Sequence, residues 1–93
     1  MAVYRNSYQI TEGVLDTVVC SEQHGIPITR LMRESNLPYS RMVKIIKKLT
    51  QSNLLVKIRV EGKQVFVITE KGKLYLSEYK KFMGFAEDFG LEL

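Results

Sequence analysis

Apolar residues recur at helical spacing through most of this chain, and the spacing drops to two over one short stretch. Ile10, Val14 and Val18 fall on one side of a helix over residues 7–24, with Leu15 and Val19 widening that side and Cys20 as a small apolar filler near its end. Asn6 and Ser7 are the candidate caps at its start, Gly25 offers a left-handed stop, and Pro27 blocks resumption. A second, short helix is expected over residues 29–35, with Thr29 as N-cap, Leu31 and Met32 inward, and Arg30, Arg33 and Glu34 outward. Asn36 stands where a residue of positive φ ends a helix. A third helix is expected over residues 38–52, with Pro38 in its first turn, where a missing N–H costs nothing. After Leu37, its apolar residues Met42, Ile45, Ile46 and Leu49 follow i, i+3, i+4, i+7. The opposite face carries Ser40, Arg41, Lys44, Lys47, Lys48 and Gln51, and Asn53 takes the place of a C-terminal glycine.

The period then changes. Leu54, Val56 and Ile58 alternate with other residues up to Arg59, and Val65 to Thr69 is rich in β-branched and aromatic residues. With Glu61-Gly62 between them, these runs predict a β-hairpin whose tight turn lies near residues 60–64. Thr69 caps a last helix from Glu70 to Phe82 or beyond, whose Gly84 weakens it by about 1 kcal/mol relative to alanine. Its apolar positions 75, 79, 82, 86 and 89 step by four and three in a heptad-like seam. The whole reads as an α+β, mostly α chain: three helices, a hairpin and a C-terminal helix.

Size and charge narrow what such a chain can do. Ninety-three residues allow one domain, spanning 1–93, with a small core and no room for separate cofactor and substrate domains. The net charge of +4 is unevenly placed. Residues 27–65 carry nine Lys or Arg against two Glu, a local +7, whereas residues 1–26 carry −2 and residues 66–93 carry −1. A basic middle between acidic ends points to an anionic partner, of which nucleic acid is the commonest. The single cysteine excludes an internal disulfide and a cysteine zinc finger. Without a long apolar run or a signal-like start, a cytoplasmic, nucleoid-associated location and no membrane partner are expected.

Helices two and three, joined by Asn36-Leu37-Pro38, have helix-turn-helix proportions, and the hairpin stands where a winged helix has its wing. The stretches ITRLMRESNLPYSRMVKIIKKL, SNLLVKI and FVITEKGKLYLSEYKKF resemble those of archaeal winged helix-turn-helix DNA-binding proteins, and ITEKGK recurs more loosely across MarR-like winged helices. The resemblance runs from Gly25 to Phe82 and implies a winged-helix fold, DNA binding and a homodimer through the last helix. It departs at Asn53, where glycine is usual, and in a last helix that Gly84 and Gly90 make too short for a long coiled coil.

On this reading the third helix enters the major groove, which admits one helix. Tyr39, Ser40, Arg41 and Lys44 lie on its early outward face. Arg41 suits either a bidentate base contact with guanine or a phosphate contact. Lys44, Lys47 and Lys48 suit phosphates, and Tyr39 suits a phosphate or a packing role on the turn. Wing residues Lys57, Arg59 and Lys63, within 57–65, reach the minor groove or backbone, with Glu61 pointing away. Thr29, Arg30 and Arg33 clamp the backbone at the turn. Tyr75, Tyr79, Phe82, Met83, Phe85, Ala86 and Phe89 on residues 70–89 exceed what one small core can cover, so they are expected to form a dimer with help from helix one or Val3 and Tyr4. His24 stands alone, acidic pairs such as Glu12/Asp16 lack a nucleophile or pocket, and no phosphate-cradling loop is present. No enzyme activity, cofactor or metal is therefore expected. Two alternatives stay open: a protein–protein module of transcription machinery, which has no need of the basic stripe, and an RNA-binding winged helix, which exposes aromatics for base stacking.

Overall fold

The structure, a computed structural model, describes residues 7–21 and 24–90, with side chains from Gln9 onward. The elements run α1 (Ser7–Cys20), α2 (Ile28–Ser35), α3 (Tyr39–Gln51), β1 (Leu55–Val60), β2 (Lys63–Ile68) and α4 (Glu70–Asp88). The expected mostly helical α+β winged helix-turn-helix order is the one observed. Leu15, Val18, Leu31 and Met42 are fully buried, and Ile26, Leu49, Leu55, Phe66, Ile68 and Leu76 join them in one core shared by every element.

Two asparagines do the work of helix-ending glycines. Asn36 is left-handed (φ 54, ψ 45), and the Leu37 N–H donates to the Met32 carbonyl at 3.2 Å, turning the chain from α2 into α3. Asn53 (φ 62) lets the Leu54 N–H reach back to the Leu49 carbonyl at 2.9 Å, a closure that satisfies the last carbonyls of α3 and aims β1 away from it. In the hairpin, Glu61 (φ 50) and Gly62 (φ 76) form a two-residue turn with both central residues left-handed, the twist-compatible type for adjacent antiparallel strands. The strands pair from Leu55↔Ile68 to Val60↔Lys63.

Several expected boundaries move. The first helix ends at Cys20, not near residue 24, so Cys20 is exposed and does not fill the core. Gly25 is left-handed (φ 75) as expected, yet it serves the next segment instead of α1. It brings Ile26 beside Phe66, with paired backbone bonds of 3.0 and 2.9 Å, an isolated antiparallel bridge to β2 that the sequence pattern does not predict. Thr29 is not the N-cap of α2; Pro27 holds that position without a side-chain bond, and Pro38 does the same for α3. In β1 only Leu55 is buried, and the alternating Val56, Ile58 and Val60 are exposed. Gly84 does not interrupt α4, which continues to Asp88. Asn6, Val3 and Tyr4 lie outside the described residues.

Thr69 is the junction of wing and α4. Its Oγ1 accepts from the Gly72 N–H at 2.9 Å and lies 2.6 Å from the Asn53 carbonyl, to which it donates. Losing such a cap costs about 1–2 kcal/mol. Thr69→Val is therefore expected to lower the melting temperature by roughly 4–16 °C for a domain of this size, checked by circular dichroism.

Candidate nucleic-acid interface

Burial of Met42, Ile46 and Leu49 fixes how α3 is turned. Ser40, Arg41, Lys44, Lys47, Lys48 and Gln51 then share its exposed side. Arg41, Lys44 and Lys48, at i, i+3 and i+7, line the edge facing α1, and Lys47 lines the edge facing the wing. Tyr39 is 60% exposed at the start of the helix, in line with Val43 and Ile46 and so off the basic row.

The hairpin splits its cations between two faces. Cross-strand partners share a face, so Lys57 lies with Phe66, and Arg59 with Gln64. That face looks onto α3 across a groove of about 540 Å3 lined by Lys47, Lys57, Gln64, Asn53 and Phe66. Lys63 pairs with Val60 and belongs to the opposite face. Gln64 and Asn53 were not among the sequence candidates. Gln64 gave no charge signal, and only the register reveals that it sits beside Arg59.

Among the described residues, the cations of α3 and the wing have no carboxylate partner within 4.0 Å. Among the described residues the ion pairs within 4.0 Å are Arg30–Glu34, Lys73–Glu70, Lys80–Asp16 and Lys81–Glu78. None takes Arg41, Lys44, Lys47, Lys48, Lys57, Arg59 or Lys63. Arg30 is partly committed, its Nε 3.3 Å from Glu34 Oε1, whereas Arg33 and Thr29 are exposed on the same short helix.

A family model described as winged helix-turn-helix matches residues 4–87. The chain belongs to the winged helix-turn-helix family. Among solved structures, Sso10a-2, a DNA-binding protein from Sulfolobus solfataricus, superposes with a TM-score of 0.74 at 22% identity, over 91% of this chain and 85% of that one. AF1382 from Archaeoglobus fulgidus gives 0.69 at 19% identity, over 88% and 91%. The MarR family transcriptional regulator SPO1453 from Silicibacter pomeroyi DSS-3 gives 0.66 at 20%, over 85% of this chain and 56% of that chain. No curated protein matches the chain. At these identities the structural likeness establishes the fold.

The remaining surface of this winged helix-turn-helix chain is α4. The heptad-like seam read from the sequence is divided by the structure. Ala86 is 1% exposed and Tyr75, Tyr79 and Met83 are half-buried, whereas Phe82, Phe85 and Phe89 are 55, 61 and 67% exposed. The Phe85 and Phe89 rings lie 4.7 Å apart, and Leu74 extends their stripe toward the helix start. Lys80 donates to Asp16 at 2.9 Å, tying α4 to α1, and that hydrogen bond raises the lysine pKa. Burial, with Glu12 and Tyr75 nearby, raises that of Tyr79. Among the described residues no group of three His, Cys, Asp or Glu is placed to hold a metal ion, and no helix is long and apolar enough to cross a membrane.

Proposed function

We propose that this chain is a single domain that binds double-stranded DNA as a homodimer and acts as a transcriptional regulator in the cytoplasm, without catalysis. The observation that carries this reading is the row of cations on the exposed side of α3, none paired with a carboxylate among the described residues. Such a row matches a phosphate backbone and has no partner within the described protein. In this reading α3 lies in the major groove, with Ser40 and Arg41 toward base edges and Lys44, Lys47 and Lys48 on phosphates. Lys57 and Arg59, on the wing face turned to α3, follow the same strand, while Tyr39, Thr29, Arg30, Arg33 and Lys63 flank it. Sso10a-2 is described as DNA-binding and SPO1453 as a transcriptional regulator, which supports the same use of the fold.

A duplex-DNA titration at two salt concentrations tests the reading. With about six phosphate contacts the logarithm of affinity falls with that of salt at a slope near −5. Arg41→Ala and Lys44→Ala each weaken binding, and absence of binding at low salt refutes the proposal.

The dimer is proposed to form through residues 70–89, with the exposed Phe82, Phe85 and Phe89 as its apolar surface and Tyr75, Tyr79, Met83 and Ala86 supporting them from below. Two-fold symmetry then sets two α3 helices about 34 Å apart, one DNA turn. Light scattering is expected to give a dimer for the unaltered protein and a monomer for Phe82→Glu/Phe85→Glu. A monomer from the unaltered protein at micromolar concentration removes this part of the proposal.

A further inference from the structure

A separate cavity of about 200 Å3 opens between α1 and α3, on the side of α3 away from the wing. Ile10, Ile45 and Leu49 make its apolar wall, Thr11 stands on the α1 side, and Arg41, Lys44 and Lys48 surround it with positive charge. These cations lie within two turns of one helix and repel one another. Among the described residues no carboxylate neutralises them. Glu12, the acid next to Thr11, instead acts on Tyr79 and Lys80 of α4.

Size, lining and charge together define an occupant. An apolar cavity of about 150 Å3 holds benzene, so this one takes roughly six to eight carbons. Its branched aliphatic walls, Ile10, Ile45 and Leu49, gain from burying a saturated chain against them. The surrounding cations call for a terminal anion. We infer that this cavity binds a medium-chain alkyl carboxylate, with its chain against Ile10, Ile45 and Leu49 and its carboxylate among Arg41, Lys44 and Lys48. Because the same three side chains are assigned to DNA, carboxylate and duplex compete. The competition rests on the DNA reading; the binding does not. At a carboxylate concentration ten times its dissociation constant, mass action weakens the apparent duplex affinity about tenfold.

Octanoate, below its micellar range, is the probe. Nitrogen-15 amide spectra of the DNA-free protein are expected to shift at Thr11, Ile45 and Leu49 with octanoate, and far less with acetate or octanol at equal concentration. Thr11→Trp fills the cavity from α1 without altering a residue assigned to DNA. It is expected to weaken octanoate binding at least tenfold while leaving duplex affinity intact. Equal responses to octanoate and acetate, shifts confined to the α4 phenylalanines, or an unchanged response in Thr11→Trp overturn the assignment. Octanoate binding that leaves duplex affinity unchanged overturns the competition. Octanoate binding to a protein that never binds duplex upholds the cavity assignment and defeats the DNA reading instead.

Discussion

Gly72→Ala is expected to destabilise the protein by about 3 kcal/mol, the upper end of what overpacking a tight site costs. Gly72 is buried in the first turn of α4, against the start of the wing. A Cβ there would run into the backbone carbonyl oxygen of Leu54 and come within 2.7 Å of Ile68 Cγ1. The oxygen cannot yield by a rotamer change, because it accepts the Thr69 N–H at 3.1 Å and belongs to the segment that Asn53 turns into β1. Relief requires α4 to move off the wing, which also breaks the bond from the Thr69 hydroxyl to the Asn53 carbonyl. At about 4–8 °C per kcal/mol, the melting temperature falls by roughly 12–24 °C. Gly84→Ala in the same helix is the matched control, since a Cβ there meets nothing within 4 Å. It is expected to stabilise by up to about 1 kcal/mol through helix propensity alone. Equal melting temperatures for the two variants would show that wing and α4 do not meet this closely.

The same contact explains why the ITEKGK string was informative. Threonine caps, glycine admits the Leu54 carbonyl, and the charged residues around them stay exposed, so local chemistry and tertiary packing demand the same letters. Asn36 and Asn53 were legible for a similar reason, since few residues tolerate the left-handed turn each one makes. The end of α1 was not legible: Cys20 and the residues after it carry no strong breaker until Gly25, and the Ile26–Phe66 pairing that draws the chain away is long-range. The structure divides the α4 seam because a heptad count does not say which of its positions are buried within the domain. Leu76 and Ala86 are buried, whereas Phe82, Phe85 and Phe89 stay outside. For the candidate interface, charge along the sequence singles out α3 and the wing, but a strand's charge pattern does not say which face meets α3. The register does, separating Lys63 from Lys57 and Arg59 and bringing in Gln64.

Neutralising the α1-facing row of α3 is expected to have the largest effect on DNA affinity. Arg41→Gln/Lys44→Gln/Lys48→Gln removes three exposed cations whose side chains have no carboxylate partner among the described residues, so the fold loses little. If each contacts a phosphate, each loss removes about 0.9 from the salt slope, which flattens from near −5 to between about −2 and −3. Affinity at 0.1 M salt then falls roughly 500-fold, since each released counterion contributes close to a decade of binding there. Lys73→Gln/Lys81→Gln removes charge from α4, where both lysines pair with glutamates of their own helix, and serves as the control for net charge. It is expected to leave the slope unchanged. Arg41 has a second signature. A bidentate contact with guanine makes Arg41→Gln reduce discrimination between sites by about 1–3 kcal/mol, whereas a phosphate contact weakens all sequences alike. Titrating the single and triple variants against two duplexes that differ at one guanine separates these roles. An unchanged salt slope in the triple variant would remove α3 as the element that meets the backbone, whatever the wing then contributes.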